Sequence, residues 1–393
     1  MTHAPLPYGR HAIDDDDIAA VVEVLKSDWL TTGPAVTTFE KTLCEALGAR
    51  HAVAVANGTA ALHLAYLALD IGPGDSVIVP AITFLATANA VRQTGADVVF
   101  ADVDPETGIM TPATLRTAFQ KAKSPVKAVT VVHLGGQPAD LTALAKICQG
   151  HSAYLIEDAC HAIGSTYGNT RIGDCAYSDV ATFSFHPVKT IAMGEGGAVT
   201  TRHDHVAGTV RSLRHHAMQP PPAEIAQDSP WLRHASTLGY NYRACDIQCA
   251  LGASQLNKLE RFKTIRRALY EQYEATLAAL DVPAMLNPIK TQCAPCWHLA
   301  AVSIDFNGIS VARKDVVKQL ADMSIGTQVH YYPVNAQPYY EALYGKPATP
   351  NAWTYYDRTL SLPLHAGMSL AEVNMVCRAL AQILPAVDKA KCA

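Results

Sequence analysis

The chain has 393 residues, of which 49% are hydrophobic and 17% are charged. This composition is typical of a folded globular protein with a large core, and it argues against a disordered chain. The formal net charge of -4 gives no electrostatic reason to bind nucleic acid. No apolar run is long enough to span a bilayer, and the first residues lack the basic and apolar pattern of a secretory signal. We therefore expect a cytoplasmic protein with neither nucleic acid nor membrane as a partner.

The predicted elements alternate between strand and helix through about the first 215 residues. Short and nearly continuous apolar runs are typical of strands that are buried on both faces of a sheet. The alternation predicts an α/β fold with a mostly parallel central sheet covered by helices. The predicted strands are 51–56, 76–81, 97–104, 128–136, 154–159, 179–185 and 196–201. The predicted helices among them are 58–69, 84–95, 112–123 and 203–216.

The pattern changes in the second half of the chain. The proline-rich segment MQPPPAEIAQDSPW (218–231) predicts an exposed loop, and a long basic helix is predicted near 254–279. From about residue 297, a strand-like stretch, a helix at 311–323 and the segment TQVHYYPV predict a smaller α+β unit. We therefore expect a large domain at residues 1–250 and a small C-terminal domain at residues 251–393.

The ten cysteines are scattered, and only Cys293 and Cys296 form a CxxC pair. A single CxxC pair without a second one is weak support for zinc, and no redox motif surrounds it. We expect free thiols in a reducing compartment and no metal site.

The segment NGTAAL (57–62) joins the first predicted strand to a helix. Small residues allow the backbone N–H groups at a helix N-terminus to surround an anion, and the hydroxyl of Thr59 adds a further donor. Gly58 and Thr59 are therefore candidates for a phosphate site. The alternative is an ordinary strand-to-helix turn.

The segment IEDACHAIG (156–164) places Asp158 at the end of a predicted strand. Ligands of parallel sheets bind at the carboxyl ends of the strands, so this carboxylate is expected to face a site. There it would keep a heterocyclic nitrogen protonated, as pyridoxal 5'-phosphate requires when its ring takes up electrons. The alternative is a helix N-cap aspartate.

Lys189 lies between the predicted strand DVATFSF and a glycine-rich stretch. A lysine that is partly removed from water loses proton affinity and can condense with an aldehyde. The alternative is a lysine that reaches solvent from the surface. A phosphate turn, a carboxylate and a lysine, in this order on one sheet, favour a pyridoxal phosphate site. Phe84 is then a candidate to cover one face of the cofactor ring. The alternative is that its side chain simply packs in the hydrophobic core.

Five segments, NGTAAL, TFLATANAV, IEDACHAIG, FSFHPVKTIAMGEGGAVTT and LGYNYRACDIQCALG, occur in this order. Together they resemble the sugar aminotransferases of the DegT/DnrJ/EryC1/StrS family, which are pyridoxal phosphate enzymes of fold type I. The resemblance runs from about Tyr8 to Leu370. The segments SDWLTTGP, SFHPVK, TQVHYYPVNAQPYY and SLPLHAGMS look most like the branch that acts in pseudaminic acid biosynthesis.

The resemblance implies a role for each site residue. Lys189 carries the cofactor and moves the proton, and Asp158 pairs with the ring nitrogen. His161 lies near the ring, Ser184 joins Gly58 and Thr59 at the phosphate, and Phe84 stacks on the ring. Asn241 reaches the phosphate from the other subunit, which implies a homodimer with a shared active site. The residues implied to contact the nucleotide sugar are Tyr8, Thr31, Gln328, His330 and Tyr331.

The implied substrates are glutamate and a UDP-linked 4-keto sugar. Other sugars stay open, among them those of 4-amino-arabinose and perosamine synthases. A dehydratase branch of the family has histidine in place of the lysine, so Lys189 favours transamination. A non-catalytic sensor of cofactor or sugar nucleotide is a further alternative. A nicotinamide-dependent oxidoreductase ranks last, because no GxGxxG motif follows the first strand.

Overall fold

A computed structural model describes residues 5–229, 231–346 and 348–385 of the protein. The helices are α1 (Asp15–Leu25), α2 (Pro34–Leu47), α3 (Gly58–Ala68), α4 (Leu85–Gln93), α5 (Pro112–Lys121), α6 (Leu141–Gly150), α7 (Asp204–Leu213), α8 (Ala223–Asp228), α9 (Asp246–Leu256), α10 (Leu259–Ala279), α11 (Arg313–Asp322), α12 (Pro338–Tyr344), α13 (Pro350–Arg358) and α14 (Leu370–Ile383). The strands are β1 (His51–Val55), β2 (Ser76–Pro80), β3 (Asp97–Ala101), β4 (Val126–Val132), β5 (Tyr154–Asp158), β6 (Thr166–Tyr167), β7 (Thr170–Arg171), β8 (Val180–Ser184), β9 (Gly197–Thr201), β10 (Met218–Gln219), β11 (His234–Ala235), β12 (Met285–Leu286), β13 (Cys293–Ala294), β14 (Ala300–Ser303) and β15 (Thr359–Leu362).

The seven predicted strands form one sheet, in the order β1-β9-β8-β5-β4-β2-β3. Every pair from β8 to β3 is parallel, whereas β9 runs antiparallel to both β1 and β8. The prediction of a mostly parallel sheet is confirmed. Because six strands share one direction, their carboxyl ends meet at one edge, which is where ligands of such sheets bind.

Helices cover both faces of this sheet, and two apolar clusters form the two layers of the core. One layer contains residues of α2, α5 and α6, and the other contains residues of α3, α4 and α7. The strands read as continuous apolar runs because neither face contacts solvent. β2, for example, is buried at all five of its positions.

A smaller α+β unit follows. Strands β12, β14 and β15 form an antiparallel sheet that packs with α10, α11 and α14 around a third apolar cluster. The N-terminal segment joins this unit, because Leu6 is part of the cluster and pairs with Ile325. Leu364, also in this cluster, donates its N–H to the carbonyl of Tyr8, which holds the tyrosine against the smaller unit.

Two predictions of local structure need correction. The long helix expected near 254–279 is present as α10, but it begins only at Leu259, because the residues up to Leu256 belong to α9. Lys258, between them, forms an ion pair with Asp17 of α1 at 2.9 Å. The segment 218–231 is not only loop, because it contains β10 and the short helix α8.

The division at residue 250 stays a prediction. Residue 250 lies inside α9, which packs against α1 and α2 of the large unit. We propose that a boundary falls at 257–258, in the connection between α9 and α10.

The described part of the chain has no helix that is long and apolar enough to cross a membrane. Its cysteines are free thiols. Within the same residues, no three His, Cys, Asp or Glu side chains are grouped as a metal site would require.

Candidate active site

A cavity of about 760 Å³ opens at the carboxyl edge of the central sheet. The strand ends supply its floor, and the segment 328–334 closes one side. Eleven of the residues proposed from the sequence line this cavity, and two do not. Those that line it are Tyr8, Gly58, Thr59, Phe84, Asp158, His161, Ser184, Lys189, Gln328, His330 and Tyr331.

The N-terminus of α3 points into the cavity. Asn57 is its N-cap, and its side-chain oxygen accepts a hydrogen bond from the N–H of Ala60 at 2.8 Å. No described residue accepts a hydrogen bond from the N–H of Gly58 or Thr59. The first N–H groups of a helix have no partner within it, and they favour an anion. This helix end can therefore bind a phosphate.

Gly58 is required by close packing at this helix end. A Cβ atom at Gly58 would lie 2.8 Å from Cβ of Ser184 and 3.4 Å from Sγ of Cys160. The glycine thus lets the end of β8 approach the first turn of α3. The hydroxyl of Ser184 is brought next to the unpaired amides as a result.

Asp158 ends β5 and is buried. Its Oδ2 accepts a hydrogen bond from the hydroxyl of Thr87 at 2.7 Å, and its Oδ1 accepts one from the N–H of Cys160 at 3.3 Å. These contacts fix the orientation of a carboxylate that lines the cavity.

Lys189 follows β8 in a tight turn, in which its N–H donates to the carbonyl of His186 at 2.8 Å. No described residue forms a hydrogen bond or an ion pair with its ammonium group. Burial lowers the pKa of Lys189, and Cys160 and Asp158 oppose this shift only in part. A lysine in this state has more of its amine in the neutral, nucleophilic form than an exposed lysine has.

His161 is buried, and its tautomer follows from its hydrogen bonds. Its Nδ1 accepts from the N–H of Gly135 at 3.3 Å, so Nε2 carries the proton of the neutral ring. That Nε2 lies 3.2 Å from the hydroxyl of Tyr331. Burial, with Lys189 and His330 nearby, holds the pKa of His161 well below its ordinary value. His161 is therefore a neutral donor.

Three residues of the predicted sugar site line one side of the cavity. Burial lowers the pKa of His330 to about 3, and its Nδ1 lies 2.8 Å from the hydroxyl of Ser361. The ring of Tyr8 lies 5.6 Å from that of His330. Gln328 turns its side-chain oxygen back to the N–H of Val329 at 2.9 Å.

Phe84 precedes α4, and 58% of its surface is exposed, which is high for a phenylalanine. Its ring lies 6.0 Å from that of Tyr331 across the cavity. An exposed aromatic face in a polar cavity can stack on a ligand ring.

Thr31 and Asn241 are exposed and lie outside this cavity. The loop of Thr31 is tied to the start of α9, because Asp246 accepts from the N–H of Gly33 at 2.8 Å. Asn241 pairs with His215 in an isolated bridge.

Sequence reasoning missed three further residues that line the cavity or hold its carboxylate. Thr87 lies four residues after Thr83 in the TFLATANAV segment, but nothing in that segment shows that Thr87 contacts Asp158. Cys160 and His298 were passed over, the first as one of many scattered cysteines. The ring of His298 lies 4.4 Å from that of His161, and its Nδ1 is buried without a described partner.

The arrangement fits pyridoxal 5'-phosphate. The free N–H groups of Gly58 and Thr59 can bind its phosphate, and the carboxylate of Asp158 can pair with its ring nitrogen. The unpaired amine of Lys189 can hold its aldehyde. These donors point to one cavity from three different strand ends.

The comparison with known proteins identifies the family. Residues 11–381 match the model of the DegT/DnrJ/EryC1/StrS aminotransferase family. The chain belongs to this family. It is therefore an aminotransferase of fold type I, and its cofactor is pyridoxal 5'-phosphate, as the sequence predicted.

Three relatives illustrate the similarity. The spore coat polysaccharide biosynthesis protein SpsC of Bacillus subtilis is 38% identical over 388 residues, which cover 98% of both chains. Helicobacter pylori PseC, an aminotransferase of pseudoaminic acid biosynthesis, superposes with a TM-score of 0.88 at 28% identity, covering 97% of this chain and 99% of its own. The protein Spr1654 of Streptococcus pneumoniae, in its PLP form, superposes with a TM-score of 0.87 at 25% identity. The match covers 96% of this chain and 98% of Spr1654.

Proposed function

We propose that this aminotransferase moves an amino group from glutamate to C4 of a UDP-linked 4-keto-6-deoxy-N-acetylhexosamine. The product would be UDP-4-amino-4,6-dideoxy-N-acetyl-β-L-altrosamine, a precursor of pseudaminic acid. The similarity to PseC over nearly the whole chain supports this substrate. The observation that carries the reaction type is the unpaired, partly desolvated Lys189 in the same cavity as the fixed carboxylate of Asp158. We place the reaction in the cytoplasm, because the cysteines of the described residues are free thiols.

The proposed chemistry divides between the cofactor and the chain. When bound, pyridoxal phosphate supplies the aldehyde that carries the amino group and a ring that takes up negative charge. Lys189 releases the aldehyde, removes the proton from Cα of glutamate and later delivers one to C4 of the sugar. Asp158 holds the proton on the ring nitrogen. Lys189 can act as a base because its pKa is lowered.

The other proposed roles concern binding. Gly58, Thr59 and Ser184 bind the phosphate, as their position at the N-terminus of α3 supports. Phe84 stacks on the ring and His161 donates to a ring substituent, consistent with its protonated Nε2. The uncharged side chains of Tyr8, Gln328, His330 and Tyr331 contact the nucleotide sugar.

We further propose a homodimer in which each cavity is completed by the partner subunit. Asn241 and Thr31 are exposed and lie outside the cavity of their own chain, where a second copy could use them. Subunit complementation tests this. Lys189→Ala and Asn241→Ala chains, each deficient alone, are co-expressed. If the two chains pair at random, about half of the dimers contain one chain of each kind. One of the two sites in such a dimer combines the intact lysine of one chain with the intact asparagine of the other, so about a quarter of all sites become active. If Asn241 acted within its own subunit, mixing would restore none.

A second candidate is an aminotransferase for another nucleotide-linked 4-keto sugar, of the 4-amino-arabinose or perosamine type. The 38% identity with SpsC, a spore coat polysaccharide biosynthesis protein, supports this second candidate. Incubation with glutamate and with matched UDP- and GDP-linked 4-keto sugars separates the two. The proposal predicts that the UDP-linked N-acetylated ketone is converted to an amino sugar, with a kcat/KM at least tenfold above that for any other sugar tested. A preference for a sugar without the N-acetyl group would contradict it.

A non-catalytic sensor is tested in the same assay. A sensor would bind cofactor and sugar nucleotide without forming 2-oxoglutarate from glutamate.

A further inference from the structure

The carboxylate of Asp158 is held by a chain of hydroxyl groups that begins at the cavity wall. Thr83 lines the cavity, and its Oγ1 lies 2.7 Å from Oγ1 of Thr87. Thr87 in turn donates to Oδ2 of Asp158 at 2.7 Å. Thr83 and Thr87 are both buried.

The direction of this chain is fixed by the number of hydrogens. A hydroxyl has one hydrogen, and Thr87 gives its hydrogen to Asp158, so Thr83 must donate to the oxygen of Thr87. A donor that itself accepts a hydrogen bond is polarised and donates more strongly. Both hydroxyls therefore support negative charge on the same carboxylate oxygen.

A second pair of hydroxyls fixes the position of Thr87. The hydroxyl of Tyr66 donates to the backbone carbonyl of Thr87 at 3.2 Å and lies 2.9 Å from Oγ1 of Thr130. Because Tyr66 gives its hydrogen to Thr87, Thr130 must donate to Tyr66. The first turn of α4 is thus anchored to β4, and Thr87 cannot follow the carboxylate if Asp158 rotates.

We propose that Thr87, and Thr83 through it, are positioning residues that hold the Asp158 carboxylate turned toward the cavity. This rests on the function proposed above, in which Asp158 pairs with the ring nitrogen of the cofactor. A buried carboxylate keeps its charge at low cost only when donors satisfy its oxygens. Thr87 and the N–H of Cys160 are those donors.

The test measures the Kd of the apoprotein for pyridoxal 5'-phosphate, together with the single-turnover rate with glutamate. Thr87→Val keeps the shape of the side chain and removes the donor to a charged group, so we expect a Kd roughly tenfold to a hundredfold weaker. Thr200→Val is the matched control, since it removes a fully buried hydroxyl that donates to the carbonyl of Gly173 and contacts neither Thr87 nor Asp158. Its Kd should stay within about twofold of wild type. Thr83→Val should fall between the two.

A double-mutant cycle separates a role through Asp158 from a general packing role. In an Asp158→Asn background, Thr87→Val should change Kd by less than about twofold, because no charge is left to support. A Thr87→Val protein that binds pyridoxal phosphate as tightly as wild type would overturn the proposal. So would a Thr87→Val change that weakens cofactor binding as much in the Asp158→Asn background as in the wild-type protein. Wild-type glutamate turnover by Asp158→Asn alone would instead refute the role of Asp158, and with it the proposed function.

Discussion

Gly58→Ala tests how closely the N-terminus of α3, where the phosphate is proposed to bind, packs against the end of β8. The new Cβ would lie 2.8 Å from Cβ of Ser184 and 3.3 Å from its Oγ. The Cβ of Ser184 cannot yield easily, because Ser184 is part of β8, which pairs with β9 in the sheet. A forced contact of this kind costs about 1–3 kcal/mol.

The matched control is Gly208→Ala in α7. A Cβ at Gly208 meets no atom within 4 Å, so the helix gains the better propensity of alanine, about 1 kcal/mol. The two substitutions should therefore change the free energy of unfolding in opposite directions. For a chain of this length, a loss of about 2 kcal/mol lowers Tm by roughly 2–3 °C.

The assay is thermal unfolding of the apoprotein, in a cycle with Ser184→Gly. That change removes the Cβ that Gly58→Ala would strike, so the double variant should be more stable than the sum of the single effects predicts. Pyridoxal phosphate affinity should fall in the Gly58→Ala protein, because Ser184 is displaced. A Gly58→Ala protein as stable as Gly208→Ala, with no coupling to position 184, would refute the packing argument.

Two further predictions concern stability. Burial lowers the pKa of His330 to about 3 and that of His365 to about 4, and it also lowers the pKa values of His161 and His298. As the pH falls below about 6.5, the unfolded chain therefore binds protons that the folded chain does not, and each group costs up to about 1.4 kcal/mol per pH unit. Urea unfolding between pH 7 and pH 5 should show this loss, and His365→Leu should make it shallower; an unchanged slope would contradict the burial argument. Arg266 is buried and donates to the carbonyls of Trp297, His298 and Leu364. Arg266→Met leaves these carbonyls unpaired and should destabilise the protein by about 3 kcal/mol or more, whereas a wild-type urea midpoint would show that the carbonyls find other donors.

The sequence predicted the central sheet because its signal is local. Each strand is a short apolar run, and parallel strands that are buried on both faces have few polar interruptions. The same reasoning placed Asp158, Ser184 and Lys189 at the carboxyl ends of strands, where the structure brings them to one cavity.

The contacts that tune these residues are not local. Thr87 and Asp158 are 71 residues apart, and His161 and Tyr331 are 170 residues apart. No periodicity or motif reports such a pairing, so the hydroxyl chain and the tautomer of His161 could be found only in the fold. The ion pair of Lys258 with Asp17, at the connection between α9 and α10, likewise joins distant parts of the chain.

The most direct test of the central claim is to trap the cofactor on its lysine. The purified protein, loaded with pyridoxal phosphate, is reduced with borohydride and digested, and the modified residue is located by mass spectrometry. The account predicts that Lys189 carries the cofactor, and that prior incubation with glutamate removes the label because the lysine has been released. A label on another lysine, or a label on Lys189 that glutamate does not reduce, would contradict it.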